Sequence, residues 1–255
     1  MRNIALLVVL SFCFTPLTAQ DYGGTWFGLK GGMTLGTQQW NSFDQNPLVA
    51  YHGIFSIEGV AAEQQFSLFA QLGYHVKGSS IRRRLFGNAF NPGSFVTVPP
   101  RRFMFQNISL VLGGKQVIKR IETADVYYLF GIRGDYTVDT NLDEYDRFIQ
   151  ANPNFAGIYP LDVYYSPTTL VGVRRINYGI TLGGGLNFPL SEYIEGVVEF
   201  TVNPDFSLQY EQPEIPNVLD PFTNQTRSIP ERRIRNLTFE VTVGCRFLRK
   251  VEYID

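Results

Sequence analysis

The chain has 255 residues, of which 44% are hydrophobic, 15% aromatic and 18% charged, with a formal net charge of −1. That balance gives no electrostatic hold on nucleic acid. The length suits one large β domain or two ordinary ones, and no linker or shift in composition divides the chain.

Residues 1–19 read as a secretory signal peptide. Arg2 supplies the positive start, Ile4 to Phe14 the short apolar region, and Leu17 and Ala19 the −3 and −1 positions of a cleavage before Gln20. Cys13 lies inside it behind the bulky Phe12, where a lipid-modification signal takes a small residue. Cys245 is then the one remaining thiol, which excludes an internal disulfide. No later run approaches the ~20 apolar residues of a membrane helix.

Eight segments alternate with a period of two, the mark of a strand with one apolar and one polar face. They are 26–38, 50–61, 66–78, 103–117, 125–138, 175–188, 193–203 and 235–247. In the third, "FSLFAQLGYHVKG", Phe66, Leu68, Leu72 and Tyr74 oppose Ser67, Gln71, His75 and Lys77, with Phe69 breaking the pattern. Short turns near 62–65, 118–124 and 189–192 alternate with joins expected to be long at 39–49, 78–102, 139–174 and 204–234. Short turns on one side, long loops on the other and an even strand count predict an all-β fold: an eight-stranded antiparallel up-and-down transmembrane β-barrel over 20–247. Residues 248–255 then form a charged periplasmic tail.

The polar parity carries nine charges: Lys30, Glu58, Lys115, Arg133, Asp135, Glu195, Glu199, Glu240 and Arg246. An apolar core would charge several kcal/mol for each unpaired ion, so the polar face is expected to line the lumen and the apolar face to meet lipid. The opposite orientation is a soluble lipocalin-like barrel with these charges in water. Eight strands leave an interior that side chains can fill, which predicts a salt-bridged plug rather than an open pore. Glycines on the same parity, Gly113 and Gly185 among them, are expected to relieve crowding there.

Several residues suggest sites. A turn centred near 62–65 sets His52 opposite His75 as a lumen pair near the outer mouth; such a pair suits a transition metal, but no third ligand is signalled, so no metal or other cofactor is expected. Arg82, Arg83, Arg84, Arg101, Arg102, Arg174, Arg175, Arg232, Arg233 and Arg235 crowd the outer strand ends. Guanidinium groups pair with phosphate, so these are candidate lipopolysaccharide contacts. Tyr145, Phe148, Phe155, Tyr159, Tyr164 and Tyr165 make the third long loop a candidate protein-binding surface. No nucleophile triad or redox motif is visible, and the glycines of "LGGGLN" at 182–187 precede no helix, so no enzyme is expected.

The stretches "FGLKGGMTLG", "FSLFAQLGYHVKGSS", "YYLFGIRGDY" and "NYGITLGGGLNF" resemble the first, third, fifth and sixth strands of PorT-family outer-membrane barrels of Bacteroidetes-type bacteria. The resemblance implies an eight-stranded barrel and an accessory role in type IX-like protein secretion. The expected function is an integral outer-membrane barrel with a structural or partner-binding role in secretion or envelope assembly. A small passive porin and a lipid-modifying outer-membrane enzyme are the alternatives. Expected partners are outer-membrane lipid, lipopolysaccharide and an envelope or secretion protein.

Overall fold

The computed structural model describes residues 24–40, 45–60, 65–81, 85–87, 95–97, 102–121, 123–144, 172–219, 225–229 and 231–250. The expected signal peptide, the loop aromatics from Tyr145 to Tyr165, and Arg82, Arg83, Arg84 and Arg101 lie outside the described residues.

Alternating large apolar and small polar residues favour extended chain, because successive side chains then point to opposite faces. Eight long strands result: β1 (Gly24–Trp40), β2 (Gln45–Val60), β3 (Phe66–Ile81), β4 (Arg102–Ile121), β5 (Ala124–Thr140), β6 (Ile176–Ser191), β7 (Ile194–Pro204) and β8 (Arg232–Lys250). Each pairs antiparallel with its neighbour in sequence, and β1 pairs with β8 from Gly24↔Lys250 to Trp40↔Ile234. The sheet closes into an eight-stranded up-and-down barrel without a free edge. Closure pairs the backbone groups that lipid cannot satisfy.

The strands exceed what the alternation alone indicated. β4 has 20 residues and β8 has 19, against the ~9–11 that a membrane crossing needs. β1 ends at Trp40 and β2 begins at Gln45, so the join expected to be long at 39–49 is short. At the other end β8 runs on to Lys250, with Leu248 opposite Trp26 and Arg249 opposite Thr25. The barrel thus takes in the first three residues of the expected tail, and 251–255 lie outside the described residues. Two small hairpins, Leu85–Gly87 with Phe95–Thr97 and Ile215–Leu219 with Thr226–Ile229, stand in the long joins. Tyr210–Gln212 adds a short further pairing to β8 beyond the end of β7.

Burial alternates along the strands. Leu29, Met33, Leu72, Phe130, Ile132 and Val243 are exposed, while Lys30, Thr34, Gln71, Arg133, Glu199 and Thr242 are buried. Aromatics bracket the exposed apolar face. On β5, Tyr128 and Tyr136 both point outward. Eight residues at ~3.3 Å each on a strand tilted ~40° span about 20 Å of height, close to the ~25 Å apolar band of an outer-membrane barrel. Tyr51 and Tyr74 continue the upper girdle with ring centroids 6.2 Å apart.

Candidate functional site

The lumen is built in tiers. At the periplasmic end, the register sets Arg246 of β8 beside Glu195 of β7. Arg246 forks between Glu195 at 2.6 Å and Glu58 at 2.9 Å, and Lys115 reaches Glu58 at 3.1 Å. The hydroxyl of Ser67 donates to Glu58 as well, at 2.7 Å. Two aromatics line the cations: Arg246 lies over Trp26 at 4.3 Å and Lys115 over Tyr127 at 3.8 Å.

Next to this tier an apolar cluster of Phe69, Val111, Tyr127 and Leu129 fills the bore. It explains why Phe69 breaks the pattern of β3. The partners that register gives Phe69 and Tyr127 are Gly113 and Gly185. A Cβ on Gly113 would stand 2.8 Å from the Phe69 ring, and one on Gly185 2.6 Å from the Tyr127 hydroxyl. Glycine is therefore required where a large ring fills the lumen.

In the middle, Lys30 donates to Glu199 at 2.6 Å. His52 and His75 are register partners on β2 and β3, with rings stacked 5.4 Å apart at 12°. His52 Nδ1 lies 3.0 Å from the Thr34 hydroxyl and Nε2 2.9 Å from that of Thr242. His75 Nδ1 lies 2.7 Å from Glu240 on the far wall.

The upper tier is a buried quartet. Lys77 bridges Asp135 at 2.6 Å and Asp205 at 3.4 Å. Arg133 pairs through Nε with Asp135 at 3.1 Å and through Nη2 with Asp205. Ser109 also donates to Asp135. Above the quartet, amides and hydroxyls close the bore. Gln38 donates to Asn236 at 2.9 Å, Asn236 to Gln209 at 3.0 Å, Gln209 to Thr137 at 2.9 Å and Thr137 to Asn107 at 2.7 Å. The histidines therefore lie beneath a cap, not at the outer mouth.

All nine charges placed on the polar parity face the lumen. Three further buried charges join them. Lys77 lies on the polar parity of β3, so alternation alone signals it. Asp205 follows the last residue of β7, where its N–H donates to the Asn236 carbonyl at 3.0 Å. Arg232 is 4% exposed and shares the inward parity of Ile234 and Asn236. That corrects its assignment to lipopolysaccharide, since a buried guanidinium cannot reach a headgroup. With these, six acids face six bases among the described residues.

Arg102, Arg174, Arg175, Arg233 and Arg235 are exposed at the outer strand ends. Arg174 pairs with Glu211, Arg233 with Glu231 at 2.8 Å, and Arg175 donates to the Tyr136 hydroxyl at 3.2 Å.

Ions paired within a closed cylinder, and bare apolar side chains around it, suit one environment. This is an integral outer-membrane barrel.

No known family model and no curated protein matches the chain. Among solved structures it is similar to the attachment invasion locus protein Ail of Yersinia pestis in complex with the heparin analogue sucrose octasulfate. The identity is 12%, covering 88% of this chain and 99% of that one, with a TM-score of 0.38. Outer membrane protein OprG of Pseudomonas aeruginosa is 8% identical over 90% of this chain and 98% of that one, with a TM-score of 0.45. The outer membrane protease OmpT of Escherichia coli is 11% identical over 90% and 97%, with a TM-score of 0.36. At these values no residue and no activity transfers to this chain.

Proposed function

We propose that this barrel works through its surfaces rather than through a pore, as a plugged outer-membrane anchor that holds a partner protein of the envelope. The observation that supports this is the filled lumen. Among the described residues, the mid-barrel cavity beside His75, Arg133 and Glu240 has room for about one water. A passive porin needs a continuous aqueous path, and the ion-pair tiers and the amide cap stand across it.

With transport set aside, the strand extensions and hairpins beyond the lipid band are the surfaces left for a partner. The PorT-like strand wording favours a partner from a secretion or envelope-assembly machine. The exposed arginines Arg102, Arg174, Arg175, Arg233 and Arg235 suit lipopolysaccharide phosphates, which guanidinium groups bind in forked geometry.

Two measurements test this. In planar bilayers the refolded barrel gives no stable ionic steps; reproducible steps would overturn the plug and favour the porin. Purified from native membranes in mild detergent, the chain brings a stoichiometric protein partner and bound lipopolysaccharide. A lone barrel in that preparation would overturn the partner-binding reading.

A further inference from the structure

We propose that His52, His75 and Glu240 bind one divalent transition-metal ion of the zinc type in the middle of the lumen. The three side chains are buried, and their ligand atoms lie within 4.8 Å of one another. They come from three strands, and β8 does not pair with β3, so only barrel closure brings Glu240 to the histidines.

Charge is the second argument. Glu58, Asp135, Glu195, Glu199 and Asp205 each have a lysine or arginine within ion-pair distance. Among the described residues Glu240 has only the His75 imidazole in that role. A buried carboxylate needs a compensating cation, and an ion held between Glu240 and two neutral imidazoles supplies it. The nearby cations are committed elsewhere: Arg133 lines the same cavity but pairs with Asp135 and Asp205, and Lys30 pairs with Glu199.

Room and orientation agree. Glu240 and His75 line the small mid-barrel cavity, and so does Thr181, whose buried hydroxyl has no hydrogen-bond partner among the described residues. Three protein ligands with a water in the fourth position is a common zinc arrangement, and Thr181 offers that water a partner. The Thr34 and Thr242 hydroxyls hold the His52 ring by both nitrogens. The nitrogen that does not bind metal keeps its threonine, as outer-shell partners of metal-bound histidines do. Bonds of about 2.0–2.2 Å set tetrahedral donors ~3.5 Å apart, so His75 Nδ1 and Glu240, 2.7 Å apart here, separate to admit the ion, while ligand atoms that now stand up to 4.8 Å apart close in. Imidazole with carboxylate selects zinc-type ions over calcium or magnesium.

The cap covers the site, so the ion is captured as the barrel closes. The test therefore refolds the full chain, free of any histidine tag, in detergent with zinc present, removes excess metal and measures zinc per folded barrel. About one zinc is expected, with affinity reduced at least tenfold in H75Q and in E240Q. A folded wild-type barrel without zinc, or unchanged affinity in H75Q, overturns the proposal. A variant that fails to fold is bypassed by X-ray absorption of the zinc-loaded wild type. The chain has two histidines, so a shell with two imidazoles supports the site, and a shell with one or none overturns it.

Discussion

The periplasmic and upper ionic tiers use the same chemistry in different surroundings. Around Arg246 the side chains keep 10–20% exposure, and the arginine holds two acids. Around Arg133 and Lys77 exposure falls to 2% or less, and each cation shares both aspartates. Water at the mouth can replace a lost partner in the lower tier. In the upper tier an ion that loses its partner keeps its charge in a dry interior, so the same deletion is far more damaging there.

The largest expected effect follows from that contrast. Asp135→Ala leaves Lys77 and Arg133 with Asp205 alone, and is expected to lower stability by about 3–5 kcal/mol, read as the urea midpoint of the refolded barrel in vesicles. Removing Lys77 and Asp135 together, as K77M with D135N, is expected to destabilise less than D135A, because Arg133 keeps Asp205. A double variant as unstable as D135A would break the argument that the unpaired ion, not the lost bridge, does the damage.

Next comes the lipid face. Phe130 points outward between the girdles of β5, and Phe130→Arg there is expected to lose about 2–4 kcal/mol in the same assay. A neutral result would mean that this face does not meet acyl chains. The smallest effect belongs to the lower tier. Glu195→Gln leaves Arg246 paired with Glu58, and a loss below about 1 kcal/mol is expected. A loss as large as that of D135A would erase the distinction between the tiers.

Some of this was legible from residue order alone. Period two is a local property, so the facing of Lys30, Arg133, Glu199 and Glu240 followed from their immediate neighbours. The His52–His75 pairing followed too, because a short turn ties the register of the strands it joins. The end of each strand was harder to see. Above the lipid band the outer face meets water, the apolar half of the alternation fades, and the strand residues Ser79, Thr140, Arg232 and Ile234 fell in the joins expected to be loops. Asp205 gave no signal at all. It stands past Pro204, where the chain leaves regular pairing and the Phe206 N–H bonds the Tyr178 carbonyl at 2.9 Å. Arg232 misled because it sits among exposed arginines, and only the continuation of β8 turned it inward.

Sequence by itself determined the strands, their number, which side of each is polar and that the polar side carries balanced charge, because these depend on neighbours two residues away. Tertiary structure alone decided which charges meet. Lys30 finds Glu199, His75 finds Glu240, and Lys77 finds Asp135 and Asp205. Lys30, Glu199, His75, Glu240, Lys77 and Asp135 sit on strands that share no ladder in these pairs, and Asp205 follows the end of β7, so only the circumference and stagger of the closed barrel bring them within reach across the bore.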